Sequence, residues 1–69
     1  MKIRSLSKAQ LAQLYAPDLT QGAAVNRLMA WLHRDEETMQ KLAASGYTKH
    51  QKVFTSRQVS IIIDHLGEP

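Results

Sequence analysis

Leu11-Ala12-Gln13-Leu14-Tyr15-Ala16-Pro17-Asp18-Leu19-Thr20-Gln21 holds the end of one helix, a turn and the start of the next. Leu11, Leu14 and Tyr15 recur at helical spacing. Pro17 then ends the helix, because the residue before a proline is pushed out of the α region. Working back, Ser7 is a natural N-cap and Gln10 stands three residues on, the two halves of a capping box. Leu6 and Leu11 occupy the flanking staple positions, so the first helix is expected over Lys8–Ala16. Working forward, Thr20 caps a second helix over Gln21–His33, with Ala24, Leu28, Trp31 and Leu32 on one stripe and Val25 at its edge. Trp31 reads as a core anchor, since it shares the Leu28 stripe. A connector this short turns two helices sharply against each other, with Leu19 dropping beneath the turn.

Asp35 caps a third helix whose first turn carries Glu36 and Glu37, acids placed where the helix dipole favours them. Met39, Leu42 and Ala43 are expected to face inward, and Gly46 to follow the helix end. From Tyr47 to Phe54 the helical period is lost, so an extended arm or small wing is expected there. Thr55 and Gln58 repeat the capping box, with Phe54 and Val59 as its staple. Val59, Ile62, Ile63 and Leu66 form the inner stripe of a fourth helix that Gly67 closes. The two cap segments align, Leu6 with Phe54, Ser7 with Thr55, Gln10 with Gln58 and Leu11 with Val59. Pairing of Lys2-Ile3-Arg4 with Lys52-Val53 would bring Lys2, Arg4, Lys49 and Lys52 to one edge. The expected fold is therefore mainly α: one domain over residues 1–69, with four short helices, a helix-turn-helix core and a short two-stranded β pairing, winged-helix-like in outline.

Composition narrows the chemistry. The chain has 69 residues, 43% hydrophobic and 22% charged, which suits a folded domain rather than a disordered one. No cysteine is present, which excludes disulfides, thiolate metal sites and Cys nucleophiles. The longest apolar run is Ile61-Ile62-Ile63, too short for a membrane span, and the N-terminal residues lack a secretory signal pattern, so a cytoplasmic setting is expected. His33-Arg34-Asp35 echoes a kinase catalytic loop without the glycine-rich loop that would accompany it. His33, Glu36 and Glu37 straddle a helix boundary and read as surface charge rather than metal ligands. Asp64 and His65, adjacent on a helix, point about 100° apart and make no working dyad. No catalytic set, metal site or cofactor is expected, and the chain does not read as an enzyme.

Nine Lys+Arg against six Asp+Glu give +3. No acid stands between Glu37 and Asp64, while Lys41, Lys49, Lys52 and Arg57 are basic. A helix-turn-helix presents the N-terminal part of its second helix to the major groove of DNA. Gln21, Asn26 and Arg27 would project there, Asn and Gln suited to adenine and Arg to guanine or phosphate. Gly22 and Ala23 would allow close approach, or else tight packing of the second helix on a neighbour. Lys49, His50 and Lys52 would act as a wing on the DNA backbone, joined by Lys2 and Arg4, because phosphate contacts supply most of the affinity. The expected function is that of a small DNA-binding accessory or regulatory protein with double-stranded DNA as partner. The alternative is a protein-interaction module, a homodimer or adaptor meeting its partner through Ile61 and Met29, with Ile61 opposite the inner stripe of the fourth helix.

The ordering of Leu11-Ala12-Gln13-Leu14-Tyr15, Pro17, Leu28 and Trp31-Leu32 resembles the opening of excisionase-type winged-helix domains. That likeness implies DNA binding. Over nearly the full length the chain resembles a family of small proteins of unknown function from Bacteroides and relatives. The shared pattern is Leu11-Ala12-x-Leu14-Tyr15-x-Pro17, Trp31-Leu32, Ser45-Gly46-Tyr47, Phe54-Thr55-x-x-Gln58-Val59 and Leu66-Gly67-Glu68-Pro69. This second resemblance implies the fold boundaries and a bacterial cytoplasmic setting, and brings no activity with it.

Overall fold

The computed structural model describes residues 2–69. In chain order the elements are β1 (Leu6–Ser7), α1 (Lys8–Tyr15), α2 (Gln21–His33), α3 (Glu36–Ala44), β2 (Val53–Phe54) and α4 (Ser56–Leu66). Both capping boxes form: the Ser7 hydroxyl accepts from the Gln10 amide at 3.0 Å and the Gln10 side chain accepts from the Ser7 amide at 2.9 Å. Thr55 and Gln58 repeat this at 3.2 and 3.0 Å. Each box satisfies backbone donors that a helix start leaves unpaired.

Pro17 stops α1 one residue earlier than the pattern predicts, with Ala16 as its C-cap. The turn that follows is closed locally. The Leu19 amide donates to the Ala16 carbonyl at 3.1 Å, and the Gln13 side chain donates to the Leu19 carbonyl at 3.3 Å. Thr20 then caps α2, and α1 packs along α2 as a helix-turn-helix pair. Leu11 and Ala12 of α1 meet Ala24, Leu28 and Leu32 of α2, with Leu42 of α3 and Val59, Ile62 and Ile63 of α4 completing the core. Leu6 and Phe54 close it from the strands, the two staple residues acting as lids.

The strands pair antiparallel, Leu6 opposite Phe54 and Ser7 opposite Val53. The ladder runs on, since the Lys8 amide donates to the Lys52 carbonyl at 2.9 Å. This corrects the expected register. Burying Leu6 and Phe54 together sets the alignment, so Lys8 stands beside Lys52 while Lys2 and Arg4 run off the other end.

Four further expectations change. Trp31 is half-buried rather than a core anchor: the buried stripe centres on Leu28, which leaves Trp31 on one rim and Val25 on the other. There the indole packs edge-on against Tyr15, ring centres 6.5 Å apart at 84°. Leu14 is 47% exposed because α1 turns Leu11 and Ala12 inward instead. Ala43 is exposed, the inward face of α3 being Thr38 and Leu42. Ile61 is half-buried, because α3 lies alongside that edge of α4. Among the described residues no helix is long and apolar enough to cross a membrane.

Candidate nucleic-acid interface

The segment after α3 begins with Gly46 at φ 93°, a backbone conformation that favours glycine. That turn sends Tyr47 back over the core, its amide donating to the Leu42 carbonyl at 3.1 Å. Its ring lies against Phe54 at 5.7 Å between centres, and its hydroxyl reaches the Met29 sulfur at 3.9 Å. Beyond it, residues 48–51 make a turn in which the Gln51 amide donates to the Thr48 carbonyl at 3.1 Å. The Gln51 side chain donates to the Val53 carbonyl at 2.6 Å and to the buried Gln58 side chain. Lys8 closes the arrangement from α1. Its ammonium lies 4.8 Å from the Tyr47 ring centre and 5.9 Å from that of Phe54, and donates to the Lys49 carbonyl at 3.3 Å.

The loop so held presents Lys49, His50 and Lys52, all exposed. Lys52 shares a shallow hollow with Ser7, Lys8, Ala9 and Val25, so this end of the loop lies on the Val25 side of α2. On that flank Gly22 and Asn26 lie one turn apart and exposed, and Gln21 is exposed in the first turn. Gly22 itself packs on nothing: a Cβ placed there would meet no atom within 4 Å. The tight-packing reading of Gly22 is thereby corrected. Lys52 is thereby placed on the Val25 side of α2, the side on which Gly22 and Asn26 are also exposed.

The other expected residues do not join them. Arg27 is exposed four residues before Trp31, on the far flank of α2. Lys2 and Arg4 border hollows beside Leu14, in one case with Pro69 and in the other with Leu6, Gln10 and Gln13. The expected gathering of Lys2 and Arg4 with Lys49 and Lys52 is corrected by the strand register. Lys8 is the residue that sequence reasoning misses, although a signal for it exists: it follows the strand residue Ser7 directly and opens a helix. Among the described residues the only cation of the Lys and Arg set in an ion pair is Lys41, 3.6 Å from Glu37.

The surface expected for a protein partner is not assembled either. Met29 lies half-buried under Tyr47, and Ile61 half-buried beside Asp35, Glu37, Thr38 and Lys41. On the far side of the molecule an open cleft of about 510 Å³ is lined by Tyr15, Trp31, Arg34, Asp35, His65 and Leu66. His65 does not work with Asp64. Its Nδ1 lies 3.0 Å from the Asp35 carboxylate, which also accepts from the Thr38 hydroxyl at 2.8 Å and the Glu37 amide at 3.1 Å. The Thr38 hydrogen bond, with the attraction of His65 and the amides of Glu37 and Thr38, holds the Asp35 carboxyl below its usual range against a desolvation cost. The Tyr15 hydroxyl donates to the Gly67 carbonyl, and burial with the nearby Glu68 charge pushes that phenol up.

No curated protein and no solved structure matches this chain. Over residues 2–69 the chain matches, and belongs to, the family described as Domain of unknown function (DUF4248).

Proposed function

We propose that this protein is a small duplex-DNA-binding accessory or regulatory protein of the bacterial cytoplasm, using the first turns of α2 and the 48–52 loop in a winged-helix-like manner. The observation that carries this reading is Lys52, which follows the exposed Lys49 in the same short loop, on the side of α2 that exposes Gly22 and Asn26. A helix face with small residues at its start admits a groove wall closely, and unpaired lysines beside it meet phosphates. Gly22 supports it further. Glycine weakens a helix, and nothing in the fold uses the missing side chain, so the space is left for something outside the chain. Asn26 is suited to an adenine edge and Gln21 to a base or phosphate.

The test is a fluorescence-anisotropy titration of a labelled 20-base-pair duplex at several salt concentrations, with wild type and Gly22→Gln. Wild type binds with affinity that falls steeply as salt rises. Gly22→Gln keeps the fold, because its side chain meets only open space, and loses at least about tenfold in affinity as the groove wall is held off. Absence of binding at low salt, or unchanged affinity in Gly22→Gln, overturns the reading.

A further inference from the structure

Lys8 occupies a place unlike that of the other cations. Its backbone amide closes the ladder on the Lys52 carbonyl at 2.9 Å, and its ammonium donates to the Lys49 carbonyl at 3.3 Å. The ammonium also lies over the Tyr47 ring at 4.8 Å. One residue therefore touches both residues that bear the loop cations and the aromatic ring from which the loop departs. The side chain is half-buried, whereas Lys49 and Lys52 are exposed. A lysine held by a carbonyl and a ring face has its charge engaged by its own chain. A loop of polar residues without such an anchor at Lys49 would sample more conformations, and ordering it would oppose binding.

We infer that Lys8 is a positioning residue: it sets the 48–52 loop in advance, with Lys49 exposed and Lys52 on the Val25 side of α2, and does not itself contact a phosphate. This rests on the duplex-binding reading for its consequence and on the loop geometry for its cause, and the two can be tested apart. Lys8→Met keeps the length and apolar stem and removes the ammonium, while Lys8→Arg keeps a donor and a cation over the ring.

Two measurements are made on each variant and on wild type. Backbone ¹⁵N relaxation reports loop order. In Lys8→Met the order parameters of residues 48–51 are expected to fall from near about 0.85 to below about 0.6, with Lys8→Arg restoring most of the order. Salt-dependent duplex titration reports the charge contacts. Lys8→Met is expected to lose about three- to tenfold in affinity at fixed salt with the slope of log affinity against log salt unchanged. A direct phosphate contact would instead make that slope shallower by about 0.9. Unaltered order parameters in Lys8→Met refute the positioning role, and a shallower slope refutes the assignment of its charge to the loop and the Tyr47 ring. If no variant binds duplex, the functional reading fails, and the relaxation result alone still upholds or refutes the pinning of the loop by Lys8.

Discussion

The two capping boxes share one chemistry and differ in burial, which makes them an internal control. Gln58 is 1% exposed, and its side-chain oxygen accepts from both the Thr55 amide and the Gln51 side chain. Gln10 is exposed and accepts only from the Ser7 amide. In Gln58→Ala two hydrogen bonds go, at about 1 kcal/mol each, and the emptied core position adds about 1 kcal/mol more. The expected cost is therefore about 3 kcal/mol. Gln10→Ala gives up one exposed bond whose donor water can take over, a cost of about 0.5 kcal/mol. For a domain of this size the first corresponds to a fall in midpoint temperature of about 12–24 °C and the second to about 2–4 °C. Urea and thermal unfolding followed by far-ultraviolet circular dichroism measure both. Costs within about 1 kcal/mol of each other would refute the claim that burial, rather than cap geometry, makes the second box the stronger.

Three other outcomes follow from the same contacts. Lys49→Ala with Lys52→Ala should make the salt slope of duplex binding shallower by about 1.8, as expected for two lost phosphate contacts, and an unchanged slope counts against the loop as a contact surface. Asp35, held below the usual carboxylate range, stabilises the fold fully above that range and loses the contribution as pH falls through its lowered value. The gap in midpoint temperature between wild type and Asp35→Asn should accordingly narrow as pH is taken from about 6 to about 2, and a constant gap would refute the coupling. Gly22→Ala should raise stability by about 0.5 kcal/mol in urea titration, since the added methyl meets no atom; a loss of stability would show that the flank is packed.

Cap chemistry acts between residues three apart, which is why Ser7 with Gln10 and Thr55 with Gln58 are legible in the sequence alone. Pro17, Gly46 and Gly67 mark helix ends for equally local reasons of backbone geometry. What escapes the sequence depends on neighbours from elsewhere in the chain. Trp31 shares its helical stripe with Leu28, but how far it sinks is decided by Tyr15 on α1 and by the rotation of α2. His65 stands next to Asp64 in sequence, yet its partner is Asp35 at the start of α3. Among the loop cations, Lys49 and Lys52 are legible as a group, because they share one short polar stretch. Lys2 and Arg4 join them only in a register that the burial of Leu6 and Phe54 does not allow.

The pairing of the first strand with the last also bears on how the chain reaches this state. The Ser5 hydroxyl donates to the Phe54 carbonyl at 2.8 Å across 49 positions. Closing so large a loop costs entropy before any ladder bond repays it, while the helices form from near neighbours. The folding rate should therefore be limited by the meeting of the two ends rather than by helix growth, placing this mostly helical chain among slower folders than its helix content suggests.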